Sequence, residues 1–269
     1  MSTGSTSLPW QLPAFYQEQF RPKKSRYAVL IPVINEDYRI QQQLLAMREI
    51  MQEFDSYVVD GGSTDGSLER KFLRATGLAG LLVKTGAGKL GSQLRIGLAE
   101  LLLRGYEGII LIDGNNKDDP RAIRDFAAAL AEGGDHLQGS RFIAGGSHKR
   151  TPWMRLLGIR LVHAPLISLA AGRRFTDTTN GFRAYSRRFL LDPRVQPFRH
   201  DFVDYALPYY LAIIAGQLGF ACKEIPVTRV YPQHEKTPTK IRGLRGNFRI
   251  IRILAATIGG AYHPKDKQW

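Results

Sequence analysis

The sequence predicts an α/β protein: a mostly parallel sheet flanked by helices, with a basic helical appendage at the C-terminus. Three observations carry that expectation. Short apolar runs alternate with stretches of helical periodicity, the pattern of a parallel sheet covered on both faces. Several runs end directly at an acid and a glycine, as buried strands do where they open onto a ligand crevice. The 269 residues, 43% hydrophobic and 23% charged, suffice for a substantial core.

Residues 1–26 are polar and contain proline, and read as an irregular N-terminal arm. Tyr27–Ile34 is the first strand and runs into Asn35-Glu36-Asp37. A helix follows, with Ile40, Leu44, Met47 and Met51 on one side. Tyr57–Val59 is a second strand, ending at Asp60-Gly61-Gly62, and Asp65 is placed to cap a helix through Leu68 and Phe72. Leu81–Val83 is a third strand, followed by the turn Gly86-Ala87-Gly88 and a helix carrying Leu90, Leu94, Leu98 and Leu101. Ile109–Ile112 is the central strand. Asp113 follows at once, and Gly114 permits a sharp turn before a helix begins at Pro120. His136–Gln138 is a strand leading to Gly139-Ser140-Arg141. Trp153–Gly172 is helical and largely apolar, with Arg155, Arg160 and His163 interspersed. Phe202–Phe220 is helical and Lys223–Val230 a strand. A basic loop and an amphipathic helix at Asn247–Ile258 close the chain. The expected division is an arm (1–26), one compact domain (27–230) and the appendage (231–269).

The net charge is +14. Between Arg141 and Leu190 ten Lys or Arg face one acid, Asp177, and Lys236–Arg252 adds six more with no acid. Such a balance points to phosphate-bearing ligands, an anionic membrane surface or nucleic acid, or simply to a solvated face. No nucleic-acid-binding motif accompanies the charge, so no nucleic-acid partner is expected. The single cysteine, Cys222, excludes an internal disulfide and fits a reducing, cytoplasmic setting. No signal peptide is expected, and the nearest apolar run, Ala206–Cys222, is interrupted by Pro208 and Gln217 and suits a buried helix.

Three strand ends, near Glu36, Asp60 and Asp113, present carboxylates. Asp113 there can meet a metal ion or phosphate group, or open a turn. Asp60 can accept hydrogen bonds from a nucleobase or ribose, or shape its own turn. The first strand end lacks the Gly-x-Gly-x-x-Gly turn, which disfavours a dehydrogenase. Gly86–Ser92 lacks the Gly-Lys-Ser/Thr of a P-loop, yet can bring backbone N–H groups or Lys89 to a phosphate.

Five motifs occur in order: Pro32-Val-Ile-Asn35-Glu36, Asp60-Gly-Gly-Ser-Thr-Asp-Gly-Ser67, Asp113-Gly-Asn115, Gly139-Ser-Arg141 and Asp177-Thr-Thr-Asn-Gly-Phe-Arg183. Over about residues 27–242 the chain resembles family 2 glycosyltransferases, especially the dolichol-phosphate mannosyltransferase-like branch and bacterial surface-polysaccharide enzymes. The resemblance implies the Rossmann-like GT-A fold, a nucleotide-diphosphate sugar donor, a divalent metal and inversion at the anomeric carbon. It implies that Pro32, Asn35, Glu36 and Asp60 hold the nucleoside. Asp113, with Asn115, would ligate Mg2+ or Mn2+ bridging the diphosphate. Arg141, Arg183 and Lys240 would meet phosphate oxygens or an anionic acceptor.

Two departures stand out. Asn115 fills the second place of the usual Asp-x-Asp, bringing an amide oxygen but no charge. Lys117 stands where the dolichol-phosphate branch often has glutamine; its ammonium either takes over part of the metal's role or, the reading favoured by the sequence, points to solvent. A hydroxyl acceptor needs a carboxylate base, for which Asp201 and Asp204 are candidates, Asp204 nearer the family position; a phosphate acceptor is already ionised. Either acid is equally an ordinary residue at a helix start.

The leading expectation is an inverting transferase acting on a lipid-linked acceptor in cell-surface polysaccharide or glycolipid synthesis, peripheral at the inner face of the membrane. A polyprenyl-phosphate glycosyltransferase and a catalytically inactive nucleotide-sugar-binding domain are the alternatives. In the C-terminal helix, Phe248, Ile251, Leu254, Ala255 and Ile258 share a side, and Arg245, Arg249 and Arg252 form a stripe suited to a bilayer interface.

Overall fold

The computed structural model describes residues 10–233 and 243–264. In chain order the strands are β1 (Phe15–Gln19), β2 (Tyr27–Val33), β3 (Asp55–Asp60), β4 (Gly80–Lys84), β5 (Gly108–Leu111), β6 (His136–Ser140), β7 (Ser147–Lys149), β8 (Arg183–Ser186), β9 (Cys222–Pro226) and β10 (Thr228–Val230). The helices are α1 (Tyr38–Ala46), α2 (Arg48–Glu53), α3 (Arg70–Ala75), α4 (Leu90–Leu103), α5 (Ile123–Ala131), α6 (Trp153–Leu157), α7 (Ala164–Ala171), α8 (Arg187–Leu191), α9 (Ala206–Gln217) and α10 (Gly243–Ile258). A wider turn of helix over Gly158–His163 joins α6 to α7.

One eight-stranded sheet runs in the order β1-β4-β3-β2-β5-β8-β6-β9. Strands β4, β3, β2 and β5 are parallel, while β8 runs antiparallel between β5 and β6. The sequence anticipates the parallel half and misses β8. It also misses β1, which pairs antiparallel with β4 at the sheet edge, within the stretch expected to be irregular. The strand expected over Lys223–Val230 is cut at Val227, whose N–H is bonded to Ser140 O (3.0 Å), and β10 leaves to pair with β7. Asp65 does not cap α3. It accepts from Ser67 N (3.1 Å), Ser67 Oγ (2.7 Å) and Asp37 N (2.8 Å), while Asp119 supplies the cap at Pro120 by accepting from Arg121 N (3.0 Å).

Alternating residues of the strands feed two cores. Ala28, Leu30 and Val59 pack with Leu94, Leu98 and Leu101 of α4 and with α9. Val29, Ile31 and Val58 pack with Ile40 and Leu44 of α1 and with Phe126 and Leu130 of α5. Because β2, β3 and β5 are parallel, their carboxyl ends lie together, and the loops after them form one crevice.

Candidate active site

The loops after β2 and β3 are stitched into one wall. Asn35 and Asp37 take positive φ (46° and 51°), the left-handed region that Asn and Asp tolerate best. Asn35 Oδ1 accepts from Thr64 N (2.8 Å), and Asn35 N donates to Ser63 Oγ (3.0 Å). Asp60 accepts from Ser63 N (2.9 Å) and Oγ (2.6 Å), so its carboxylate shapes its own turn. Gln93 of α4 ties β2 to β3 by donating to Val33 O (2.8 Å) and Val59 O (3.1 Å). Glu36 is buried, with Arg39 Nε 3.8 Å from its Oε2. Pro32, Asn35, Glu36 and Asp60 thus converge on one wall. Lys89 lies exposed at the start of α4, where its N–H donates to Val203 O (2.9 Å).

Asp113 stands at the centre. A Cβ on Gly181 would come within 2.2 Å of Asp113 Oδ1, so only glycine lets the 177–183 loop lie on this carboxylate. Arg229 Nη2 is 3.1 Å from Asp113 Oδ2, and its Nη1 pairs with Asp118 and lies 3.3 Å from Asn180 Oδ1. Asn115 Nδ2 approaches Asp113 Oδ2 at 3.3 Å, while Asn115 Oδ1 is buried without a hydrogen-bond partner. Lys117 is buried, with Nζ 5.2 Å from the Tyr231 ring centre, which corrects the expectation that it faces solvent. The cause is backbone pairing: Val230 N donates to Lys117 O (2.8 Å) and Asp119 N to Thr228 O (3.1 Å), folding 117–119 under β10.

The electrostatics follow. Burial pushes the Asp113 carboxyl up, but the charges of Arg229 and Lys117 and hydrogen bonds from Arg229 and Asn115 outweigh it and hold the group below its usual range. Burial raises Asp118 against the pull of Arg229. Burial and the like charge of Arg229 lower Lys117 to about 8, with Asp113 opposing.

Two arginines expected on phosphates are internal braces instead. Arg141 Nε and Nη2 bind Asp177 at 2.6 and 2.9 Å, with side-chain exposures of 2% and 0%. Arg183 donates to Asn180 O (3.0 Å), Pro208 O (2.8 Å) and Thr178 O (2.8 Å). These bonds take Nε and Nη2 of Arg141 and one donor on each nitrogen of Arg183, and fix both guanidiniums inside the fold. Lys240 lies outside the described residues.

Of the two candidate bases, Asp201 is exposed and 3.2 Å from Arg199. Asp204 is buried and forms an ion pair with Arg249 of α10. One end of Arg249 is thus tied to Asp204 while its side chain stays half exposed beside the exposed Arg252; the side chain of Arg245 lies outside the described residues. Burial, then the charges of Asp204 and Asp113, raise the Tyr205 phenol. Sequence reasoning missed Arg229, Tyr205 and Tyr231. An arginine inside the short run Val227–Tyr231 was the available signal for the first.

Whether Asp113 and Asn115 suit a divalent ion can be judged from the donors. Asp113 gives its Oδ2 to Arg229, the second position is a neutral amide, and Lys117 two residues on is an ammonium. Asp118, the other nearby acid, is also held by Arg229. Among the described residues no group of three His, Cys, Asp or Glu could hold a metal ion. The unpartnered Asn115 Oδ1 is one neutral oxygen, and the charges of Arg229 and Lys117 already act on Asp113. This donor set does not fit Mg2+ or Mn2+.

No family model matches the sequence. The chain is 26% identical over 221 residues to the polyprenol monophosphomannose synthase of Mycolicibacterium smegmatis, covering 81% of this chain and 82% of that protein. It is 26% identical over 220 residues to the undecaprenyl-phosphate mannosyltransferase of Micrococcus luteus, covering 81% and 88%. Among solved structures, glucosyl-3-phosphoglycerate synthase of Mycobacterium tuberculosis with Mn2+, uridine diphosphate and phosphoglyceric acid superposes with a TM-score of 0.62 at 18% identity, covering 97% of this chain and 89% of that one. The ion is thus present in relatives of the fold.

Proposed function

We propose a polyprenyl phosphate as the sugar acceptor of this chain, which is a family 2 glycosyltransferase of the GT-A fold related to the polyprenyl-phosphate sugar transferases. The donor is a nucleotide-diphosphate sugar, its nucleoside against Pro32, Asn35, Glu36 and Asp60 and its diphosphate toward Lys89 and the cations that flank Asp113. An acceptor phosphate oxygen attacks the anomeric carbon from the face opposite the diphosphate. The bond from that carbon to the diphosphate oxygen breaks, and the nucleoside diphosphate leaves with the electron pair. The configuration inverts.

One observation carries the acceptor. The helical segment Trp153–Ala171 exposes Trp153 (69%), Met154 (69%), Leu161 (69%) and Leu169 (81%), yet hangs on the wall of the site. Arg155 Nη1 donates to Tyr231 Oη (2.9 Å), and His163 Nδ1 is 2.7 Å from Thr178 Oγ1. Among the described residues this is the one helix long and apolar enough to cross a bilayer, although Arg155 and Arg160 punctuate it. Lying in the interface, with its arginines at the headgroups, it would bring a lipid phosphate to the crevice. Phe248 and Ile251 of α10 are exposed as well, whereas Leu254 is buried, so this longer segment takes over the anchoring role expected of α10.

The Asp204–Arg249 pair favours the phosphate acceptor over the hydroxyl acceptor of the leading sequence reading. The Asp204 carboxylate is already engaged by a guanidinium rather than open to an acceptor hydroxyl, and an ionised phosphate needs no base. The test is transfer of labelled sugar from UDP-glucose or GDP-mannose to undecaprenyl phosphate in mixed vesicles. The wild type should transfer, and Asp204→Asn should keep kcat within about threefold, since no proton has to be taken in the transition state. Loss of transfer in Asp204→Asn with donor affinity unchanged would restore Asp204 as a base and a hydroxyl as acceptor.

A further inference from the structure

We propose that Lys117, backed by Arg229, neutralises the leaving diphosphate in place of a divalent cation, so that the donor site works without metal. The inference deepens the nucleotide-sugar reading of the site and rests on it.

Charge is the first argument. Against an Asp-x-Asp-x-Gln pattern, Asn115 removes one negative charge and Lys117 adds one positive charge. The difference is two, the charge of the ion that the pattern would hold. Within the cluster, the carboxylates of Asp113 and Asp118 face the cations of Lys117 and Arg229. Two carboxylates with a divalent ion have the same sum.

Geometry is the second. Arg229 bridges Asp113 Oδ2 (3.1 Å) and Asp118, so an ion taking both oxygens of Asp113 would have to displace a buried guanidinium. That exchange takes one of its two carboxylate partners from a buried guanidinium and sets a divalent cation beside it, a like-charge contact that burial makes costly. Lys117 is fixed by its backbone bond to Val230 and lines a cleft with Tyr38, Arg39, Asn115, Arg150 and Tyr231. Its ammonium is a compact point charge in the same cleft as Asn115.

Chemistry is the third. As the bond from the anomeric carbon to the diphosphate breaks, negative charge grows on the departing oxygen. A cation already in place stabilises that charge without reorganising. Lys117 transfers no proton in this step; it remains an ammonium and leaves the electron pair on the diphosphate.

The test is calorimetric binding of UDP and GDP to the full chain, in EDTA and in Mn2+, with three proteins. The wild type should bind one of the two nucleotides with Kd within about twofold in the two buffers, and Lys117→Gln should bind it about tenfold more weakly in EDTA, as loss of one charge-assisted contact predicts. The double variant Asn115→Asp, Lys117→Gln should bind weakly in EDTA and gain about tenfold or more with Mn2+. Wild-type binding that requires Mn2+ would overturn the inference and leave the glycosyltransferase reading standing. Lys117→Gln binding as tightly as the wild type in EDTA would overturn it too. If neither nucleotide binds in either buffer, both readings fall.

Discussion

Replacing Asp177 by Asn separates a structural arginine from a ligand-binding one. Asp177 receives both Nε (2.6 Å) and Nη2 (2.9 Å) of Arg141, and Thr179 Oγ1 accepts a further bond from Nη2 at 3.1 Å. Neither side chain of the pair is more than 2% exposed. The amide keeps the shape but leaves a buried guanidinium without its counter-charge. Breaking a pair of this kind costs about 3–5 kcal/mol. At roughly 2–4 °C per kcal/mol for a chain near this size, the melting midpoint should fall by about 6 °C or more. Urea unfolding followed by far-ultraviolet circular dichroism gives the free energy, and nucleotide binding well below the midpoint gives the function. Asp177→Asn should lose stability and keep nucleotide affinity. A variant as stable as the wild type that binds nucleotide tenfold more weakly would show that Arg141 contacts the ligand, as its motif first suggested.

Three further outcomes follow from the packing. Gly181→Ala should fold yet lose most transfer activity in the same vesicle assay, because its methyl group would lie 2.2 Å from Asp113 Oδ1; unchanged turnover would show that the loop yields freely. His136 is fully buried against Phe175, Tyr185 and Phe189, and burial, then the charge of Arg183, lowers it to about 3. Between pH 6.5 and 3 the unfolded chain therefore binds a proton that the folded one refuses, so stability is complete above 6.5 and falls by about 1.4 kcal/mol per unit below it. His136→Leu should flatten that part of the urea-midpoint profile, and an unaltered slope would assign the acid lability elsewhere. Finally, a Trp153→Glu, Leu161→Glu, Leu169→Glu variant should no longer sediment with phosphatidylglycerol vesicles, since each buried side chain contributes roughly 1.5–3 kcal/mol; sedimentation equal to the wild type would rule out this face.

The half of the sheet that builds the crevice was legible because β2, β3 and β5 are buried on both faces. Their middles, Ala28–Ile31, Tyr57–Val59 and Ile109–Leu111, are apolar runs, and each strand has an acid at or just beyond its end. Strands β1 and β8 were not legible for the opposite reason. Phe-Tyr-Gln-Glu-Gln and Arg-Ala-Tyr-Ser carry no strong period and become strands through the partners they pair with, β4 in one case and β5 with β6 in the other. In the site, the motifs located the carboxylates but not their partners. Arg229 meets Asp113 across 116 residues of sequence, and Arg141 meets Asp177 across 36. Lys117 reads as a surface lysine until β10 folds over it. The apolar segment Trp153–Ala171 was visible as a helix, but which of its sides remains uncovered depends on how α7 packs against α9.

The central claim is that a lipid phosphate accepts the sugar, and a single comparison of acceptors tests it most directly. Labelled UDP-glucose and GDP-mannose would be offered to the wild type in phosphatidylglycerol vesicles containing either undecaprenyl phosphate or undecaprenol. With one of the donors, label should appear in the lipid fraction only when the phosphate is present, as a sugar phosphodiester sensitive to mild acid. Equal or greater transfer to undecaprenol, or lipid labelling by neither donor on the phosphate, would contradict the claim.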